Sequence, residues 1–186
     1  MAPETVRVVV IVVVVIAAAA ILWFLLQRRR SAALRDRFGP EYDRTVRKTG
    51  SERRAEANLA ERTARVEKLD IHPLSPEDSA RFSQAWFDLQ KRFVDAPESS
   101  LAEADGLVRD VMLARGYPMT DFDRRAEDIS VHYPHVVRNF RAARAIADRS
   151  RDHQATTEEL RQAFVYYRNL FDELLETGAP GQRRVV

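Results

Sequence analysis

The pattern of apolar and polar positions divides the chain into one long apolar run and a series of amphipathic segments. The run begins at Val8, ends at Leu26 and contains nineteen consecutive apolar residues. As a helix, nineteen residues span about 28 Å, close to the hydrocarbon thickness of a bilayer. Because an isolated segment in lipid satisfies its backbone hydrogen bonds only as a helix, the run predicts an N-terminal transmembrane helix.

The length of the run separates this segment from a cleaved secretory signal. Such a signal has an apolar region of about 7–15 residues followed by a small-residue cleavage site. Here Ala20 is followed by six more apolar residues, and Trp23 lies near the polar end, where an indole ring can rest at the level of the headgroups. We therefore expect an uncleaved signal-anchor, with secretion after signal cleavage as the alternative.

The flanking charges predict the orientation of the anchor. Its carboxyl side carries Arg28, Arg29 and Arg30, with two more arginines by position 37, whereas its amino side carries Arg7 as its one arginine. Cytoplasmic flanks are enriched in Lys and Arg, so the carboxyl side is expected to stay in the cytoplasm. The sequence thus predicts a single-pass protein with its amino end outside and its C-terminal domain cytoplasmic.

The segment after the anchor is predicted to be a polar helical stalk. Phe38, Tyr42 and Val46 recur at four-residue spacing and form one narrow apolar stripe. Residues 52–69 are mostly charged, and a helix this polar either projects into solvent or packs through one thin seam. In either case residues 28–72 act as a spacer.

The remaining apolar periodicity predicts a helical bundle. Ser75 and Pro76 form a strong helix start, and the helix that follows carries Phe82, Trp86, Leu89 and Phe93 on one face. Further helices are predicted over residues 97–115 and 121–130, from Pro134, and from Thr156 or Thr157 to a stop at Gly178 and Pro180. The fold class is therefore all-α, with a bundle of four main helices plus one short helix.

These predictions give four regions along the chain. Residues 1–27 form the N-terminal tail and transmembrane anchor, residues 28–72 the basic juxtamembrane stalk, residues 73–178 the helical bundle domain, and residues 179–186 a flexible tail.

The amino-acid composition excludes several kinds of chemical site. The chain contains no cysteine, which excludes disulfides, thiol catalysis and cysteine-based metal sites.

The excess of basic over acidic residues lies in the segment beside the membrane. Residues 27–54 hold ten Arg or Lys against four Asp or Glu. Such a basic collar is attracted to anionic lipid headgroups. It has no platform of aromatic residues interleaved with the basic ones, so nucleic acid is not expected as a partner.

Few residues suggest a chemical site. His132 and His135 are three residues apart, but Pro134 favours a helix start between them, and a metal site would need two further ligands. Phosphate-binding, serine-hydrolase and zinc-protease motifs are absent from the sequence. The aromatic residues of the predicted helices fall at core spacing, except Phe87 and Tyr166. These two are the candidate surface for a protein partner.

Two segments suggest a relationship to other proteins. The sequence RFGPEYDRTV, at residues 37–46, and the stretch from Lys68 to Met112 follow an arginine-flanked anchor. In these segments the chain resembles an uncharacterised family of bacterial single-pass membrane-anchored helical proteins, often labelled "secreted". The resemblance covers nearly the whole chain, implies a bacterial envelope protein and assigns no catalytic or binding residues.

Together these features favour a non-enzymatic, membrane-anchored module that binds a protein partner and needs no cofactor. The alternative is a tethered helical domain that binds a small apolar ligand or lipid among its aromatic side chains. A third possibility is an enzyme whose site cannot be recognised in one sequence.

Overall fold

The computed structural model describes residues 3–175 of the chain, with side chains from residue 11 onward. All regular elements in this range are helices, which confirms the predicted all-α class. In chain order they are α1 (Pro3–Phe38), α2 (Pro40–Thr49), α3 (Glu52–Val66), α4 (Pro76–Arg92), α5 (Pro97–Ala114), α6 (Phe122–His132), α7 (Pro134–Arg151) and α8 (Thr157–Leu175). The helix stop predicted at Gly178 and Pro180 and the tail predicted at 179–186 lie outside the described residues.

The chain forms two compact units that divide between Arg37 and Phe38. The first unit contains α1 up to Arg37, and the 36 residues of this helix would extend about 54 Å if straight. From Ile11 to Leu26 its large apolar side chains are highly exposed, with Val12 at 50% and Trp23 at 67%. The length and composition of this helix suit a membrane span, and a signal sequence equally.

The second unit begins with a helical hairpin formed by α2 and α3. Gly50 ends α2 in a left-handed conformation, and its N–H donates to the carbonyl of Val46. Ser51 then occupies the N-cap position of α3. The hairpin packs against the bundle, with α2 on α7 and α3 on α6.

This packing corrects the interpretation of residues 28–72 as a spacer. Residues 28–37 continue the anchor helix, but α2 and α3 form part of the compact second unit. The thin seam that the sequence showed is a real packing surface, in which Phe38, Tyr42, Ala55 and Leu59 are fully buried. The stalk prediction failed because charged residues also lie in that seam, as described below.

Helices α4 to α8 match the predicted bundle of four main helices and one short helix. Helix α8 packs against α5 and α7, α4 packs on α5, and α6 packs on α7. The predicted start of α4 is confirmed, because Ser75 Oγ accepts a hydrogen bond of 3.0 Å from the backbone N–H of Asp78. At α8 the capping residue is Thr156, which exchanges hydrogen bonds with Glu159.

Aromatic side chains fill the centre of the bundle. The Trp86 ring lies 5.0 Å from that of Phe164 and 4.6 Å from that of Phe171, and Phe93 lies 4.5 Å from Phe164. Because rings at these separations are in contact, the aromatic stripe predicted on α4 is a core surface.

Candidate functional site

The candidate membrane contact is the exposed face of α1 and its arginine border. Leu26 is 52% exposed, and Arg28, Arg29 and Arg30 are all exposed. The Arg28 guanidinium carbon lies 5.1 Å from the centre of the Phe24 ring, a cation–π contact that keeps an aromatic and a basic group together. Val8, the predicted start of the run, lies within α1, but its side chain is outside the described residues.

A buried ionic network connects the α2–α3 hairpin to the bundle. Its centre is the Glu41 carboxylate on α2, which is only 2% exposed. Arg141 of α7 donates to both carboxylate oxygens, at 2.6 and 3.0 Å, and Arg62 of α3 donates to Oε1 at 2.8 Å. One carboxylate therefore joins three helices.

The same network extends from α3 to α6. Arg62 Nη2 lies 3.4 Å from a carboxylate oxygen of Glu127, and Arg62 Nη1 lies 3.4 Å from the hydroxyl of Ser130. Arg65 pairs with Asp128 at 2.8 Å and with Glu127 at 3.5 Å. Buried charges are tolerated only when paired and hydrogen-bonded, so these contacts make the hairpin a fixed part of the fold.

The arginines set the protonation state of Glu41. Burial by itself raises the pKa of this carboxyl group, but the hydrogen bonds and charges of Arg141 and Arg62 together outweigh burial and hold the pKa below its ordinary value. Glu41 is therefore a carboxylate at neutral pH and neutralises part of the charge of both arginines.

Sequence reasoning missed this network, although a signal for it exists. The buried side of α3 consists of Ala55, Leu59, Arg62 and Val66, which follow one another at spacings of four, three and four. An arginine thus occupies a position on the apolar stripe itself. A charged residue at such a position indicates a buried ion pair rather than a solvated face.

In the sequence, acidic residues lie three or four positions from arginines, as in Glu61 with Arg65 and Asp148 with Arg144 or Arg151, a spacing typical of ion pairs on a solvated helix face. Asp148 pairs with Arg144 at 3.0 Å and with Arg151 at 2.8 Å, which confirms the expected surface pattern on α7. The predicted partner of Glu61 is Arg65, but the Arg65 guanidinium contacts Asp128 and Glu127 of α6 instead.

The histidines lie in separate environments. The hydroxyl of Tyr117 lies 2.9 Å from His132 Nδ1, whereas His135 Nε2 lies 2.5 Å from a carboxylate oxygen of Glu173. Burial raises the pKa of Tyr117, with a further contribution from Tyr133, so this phenol stays protonated. Within the described part of the chain, no three His, Cys, Asp or Glu side chains are grouped so as to hold a metal ion.

The two candidate partner-surface residues differ in exposure. The Phe87 side chain on α4 is 54% exposed, and the Lys91 ammonium nitrogen lies 4.0 Å from the centre of its ring. Tyr166 on α8 is partly buried and packs against the bundle core. Phe87 is therefore the stronger candidate of the two, and its role as a contact residue stays a prediction.

Comparison of the chain with protein-family models, with curated proteins and with solved structures found no match. The functional interpretation therefore depends on the chain's own residues.

Proposed function

We propose that this protein is a membrane-anchored helical module that binds a protein partner in the bacterial cytoplasm. The observation that supports it most is the combination of an exposed apolar helix with a compact helical body whose aromatic residues pack on one another. The arginine border of the anchor supports an amino end outside and a body inside the inner membrane.

The basic collar adds a contact with the lipid surface. Arg28, Arg29 and Arg30 are exposed directly after the apolar part of α1. A basic residue near an anionic leaflet contributes about 1 kcal/mol of attraction. Anionic headgroups therefore hold the end of the anchor at the cytoplasmic surface.

Phe87 is the proposed contact residue for the protein partner. A half-exposed phenylalanine beside a cation resembles the aromatic anchors that dominate binding at protein interfaces. Lys91 also lies 3.5 Å from Asp88, so the ring is bordered by a pair of opposite charges. A partner that offers an apolar side chain with a polar rim matches this chemistry.

The alternative, a site for an apolar ligand, receives less support. The rings of Trp86, Phe164 and Phe171 contact one another and so fill the space that such a ligand would occupy. Three surface cavities of about 220, 310 and 410 Å³ border α5, and small, aliphatic and polar side chains line them. Ligand pockets are instead lined mainly by apolar and aromatic groups.

Site-specific photocrosslinking tests the proposed partner surface. The full chain is expressed in bacterial cells with Phe87→benzoylphenylalanine, and the same replacement at Arg138, an exposed residue of α7, is the control. We expect a crosslinked product of one defined mass from position 87 that is missing from position 138. No product, or the same products from both positions, would contradict the assignment of Phe87.

A further inference from the structure

A second charged cluster is centred on Asp105 of α5. This carboxylate is 5% exposed and accepts a hydrogen bond of 3.0 Å from the hydroxyl of Tyr167 on α8. Arg144 of α7 lies 3.3 Å from its second oxygen, and Arg109 of α5 lies 4.0 Å from the same atom. Burial raises the pKa of Tyr167, and the negative charge of Asp105 adds to that effect, so the tyrosine keeps its proton.

Arg125 of α6 is the unusual member of this cluster. Its side chain is 6% exposed, yet Nε and Nη1 are buried without a hydrogen-bond partner in the part of the chain that the structure describes. Its guanidinium carbon lies 5.9 Å from the centre of the Phe122 ring, and that of Arg144 lies 5.4 Å from the same ring. Two cations therefore border one aromatic side chain.

The nearby carboxylates do not balance these cations. Arg109 and Arg144 share Asp105, and Asp148, which pairs with Arg144, also pairs with Arg151. Burial lowers the pKa of Arg125, and the positive charges of Arg109 and Arg144 lower it further. The negative charge of Asp105 raises this pKa, but it stays below its ordinary value. A buried donor without an acceptor destabilises the folded state, and more so when it is charged.

We propose that Arg125, with Arg144 and Arg109, forms a binding site for an oxyanion of the phosphate class. Guanidinium groups donate charge-assisted hydrogen bonds to phosphate oxygens, and Nε and Nη1 of Arg125 are two donors that no acceptor in the described part of the chain uses. The Arg109 side chain is half exposed and marks the side on which the site meets solvent. This site is separate from Phe87 and does not depend on the proposed partner surface.

The test measures thermal unfolding of the full chain in phosphatidylcholine nanodiscs with inorganic phosphate, and with chloride at equal ionic strength. A ligand of the folded state raises Tm in a saturable way. We expect phosphate to raise Tm, Arg125→Met to abolish the rise, and Arg138→Met, at an exposed position of α7, to preserve it. Arg109→Gln is expected to weaken phosphate binding about tenfold, and it decides the matter if Arg125→Met does not fold.

Nanodiscs that contain phosphatidic acid distinguish a lipid headgroup from a free phosphate, because this lipid presents its phosphate as a monoester at the bilayer surface and inorganic phosphate is dissolved. An Arg125-dependent rise in Tm with this lipid alone identifies the headgroup as the source, whereas a rise with inorganic phosphate alone identifies a soluble ligand. Either result supports the site. The proposal is overturned if neither ligand raises Tm, or if the rise persists in both Arg125→Met and Arg109→Gln.

Discussion

At the residue scale, the contact between hairpin and bundle centres on Glu41. Its carboxylate lies between Arg62 and Arg141, and all three groups are well shielded from water. A buried ion pair adds little net stability relative to an apolar core, but removal of one partner leaves the others charged and unpaired. Substitutions at Glu41 therefore affect the whole network.

Glu41→Gln is expected to destabilise the second unit by roughly 3–5 kcal/mol, because two buried arginines lose their counter-charge while the side-chain volume is unchanged. The measurement is urea unfolding of the full chain in nanodiscs, followed by fluorescence of the buried Trp86. Glu61→Gln, at an exposed position of α3, is the matched control and should change stability by less than about 0.5 kcal/mol. Equal stability of the two variants would argue against the network.

The lowered pKa of Glu41 predicts how stability depends on pH. The folded state binds the Glu41 proton less readily than the unfolded state, whose value lies near 4.5, so the carboxylate stabilises the fold fully above that pH. This contribution is lost as pH falls through the folded pKa. Unfolding free energies measured from pH 7 to pH 3 should show a constant difference between the wild type and Glu41→Gln above about pH 5, and a shrinking one below. A difference that grows on acidification would contradict the assignment.

At the element scale, the sequence predicted the helices better than their docking. Pro76, Pro97 and Pro134 begin α4, α5 and α7, because proline fixes the first turn and its missing N–H has no partner to lose. The sequence did not predict that α2 and α3 pack against the bundle, because this contact is made by Arg62 and Glu41. By composition alone, a buried arginine or glutamate looks the same as one on a solvated surface. Arg141 is 100 residues from its partner Glu41, and Glu127 is 65 residues from its partner Arg62, so no local pattern could predict either contact.

At Gly116, just after α5, the backbone lies directly against the loop that precedes α4. Gly116 has φ +89°, and a Cβ at this position would lie 2.1 Å from the carbonyl oxygen of Asp70. The neighbouring backbone also bonds, since the His72 N–H donates to the Arg115 carbonyl at 3.1 Å. Gly116 is thus required both for its left-handed backbone and for its lack of a side chain.

Gly116→Ala is therefore expected to destabilise the protein more than Gly50→Ala. Both positions have positive φ, which costs an L-residue roughly 1–2 kcal/mol, but a Cβ on Gly50 meets no atom within 4 Å. The additional loss at Gly116 comes from displacing the Asp70 backbone. Thermal unfolding of both variants in nanodiscs measures the difference, and equal losses would show that the loop moves aside freely.

At the scale of the whole molecule, charge and hydropathy assign different environments to the two units. The first unit exposes apolar side chains that water solvates poorly, and arginines follow them directly. The second unit buries its own apolar residues in one core and in the hairpin seam. An anchored protein whose folded body lies outside the lipid accounts for both patterns, and the flanking arginines are the reason for proposing that this body is cytoplasmic.

Cysteine accessibility tests that topology most directly, because the chain has no cysteine of its own. Ala2→Cys and Ser83→Cys, the latter at an exposed position of α4, are made separately in the full chain and treated in bacterial cells with a membrane-impermeant maleimide. We expect the membrane fraction to contain both variants, with Ala2→Cys labelled in intact cells and Ser83→Cys labelled only after the inner membrane is opened. Labelling of Ser83→Cys in intact cells, or loss of the residue-2 label with a shortened soluble chain, would contradict the account.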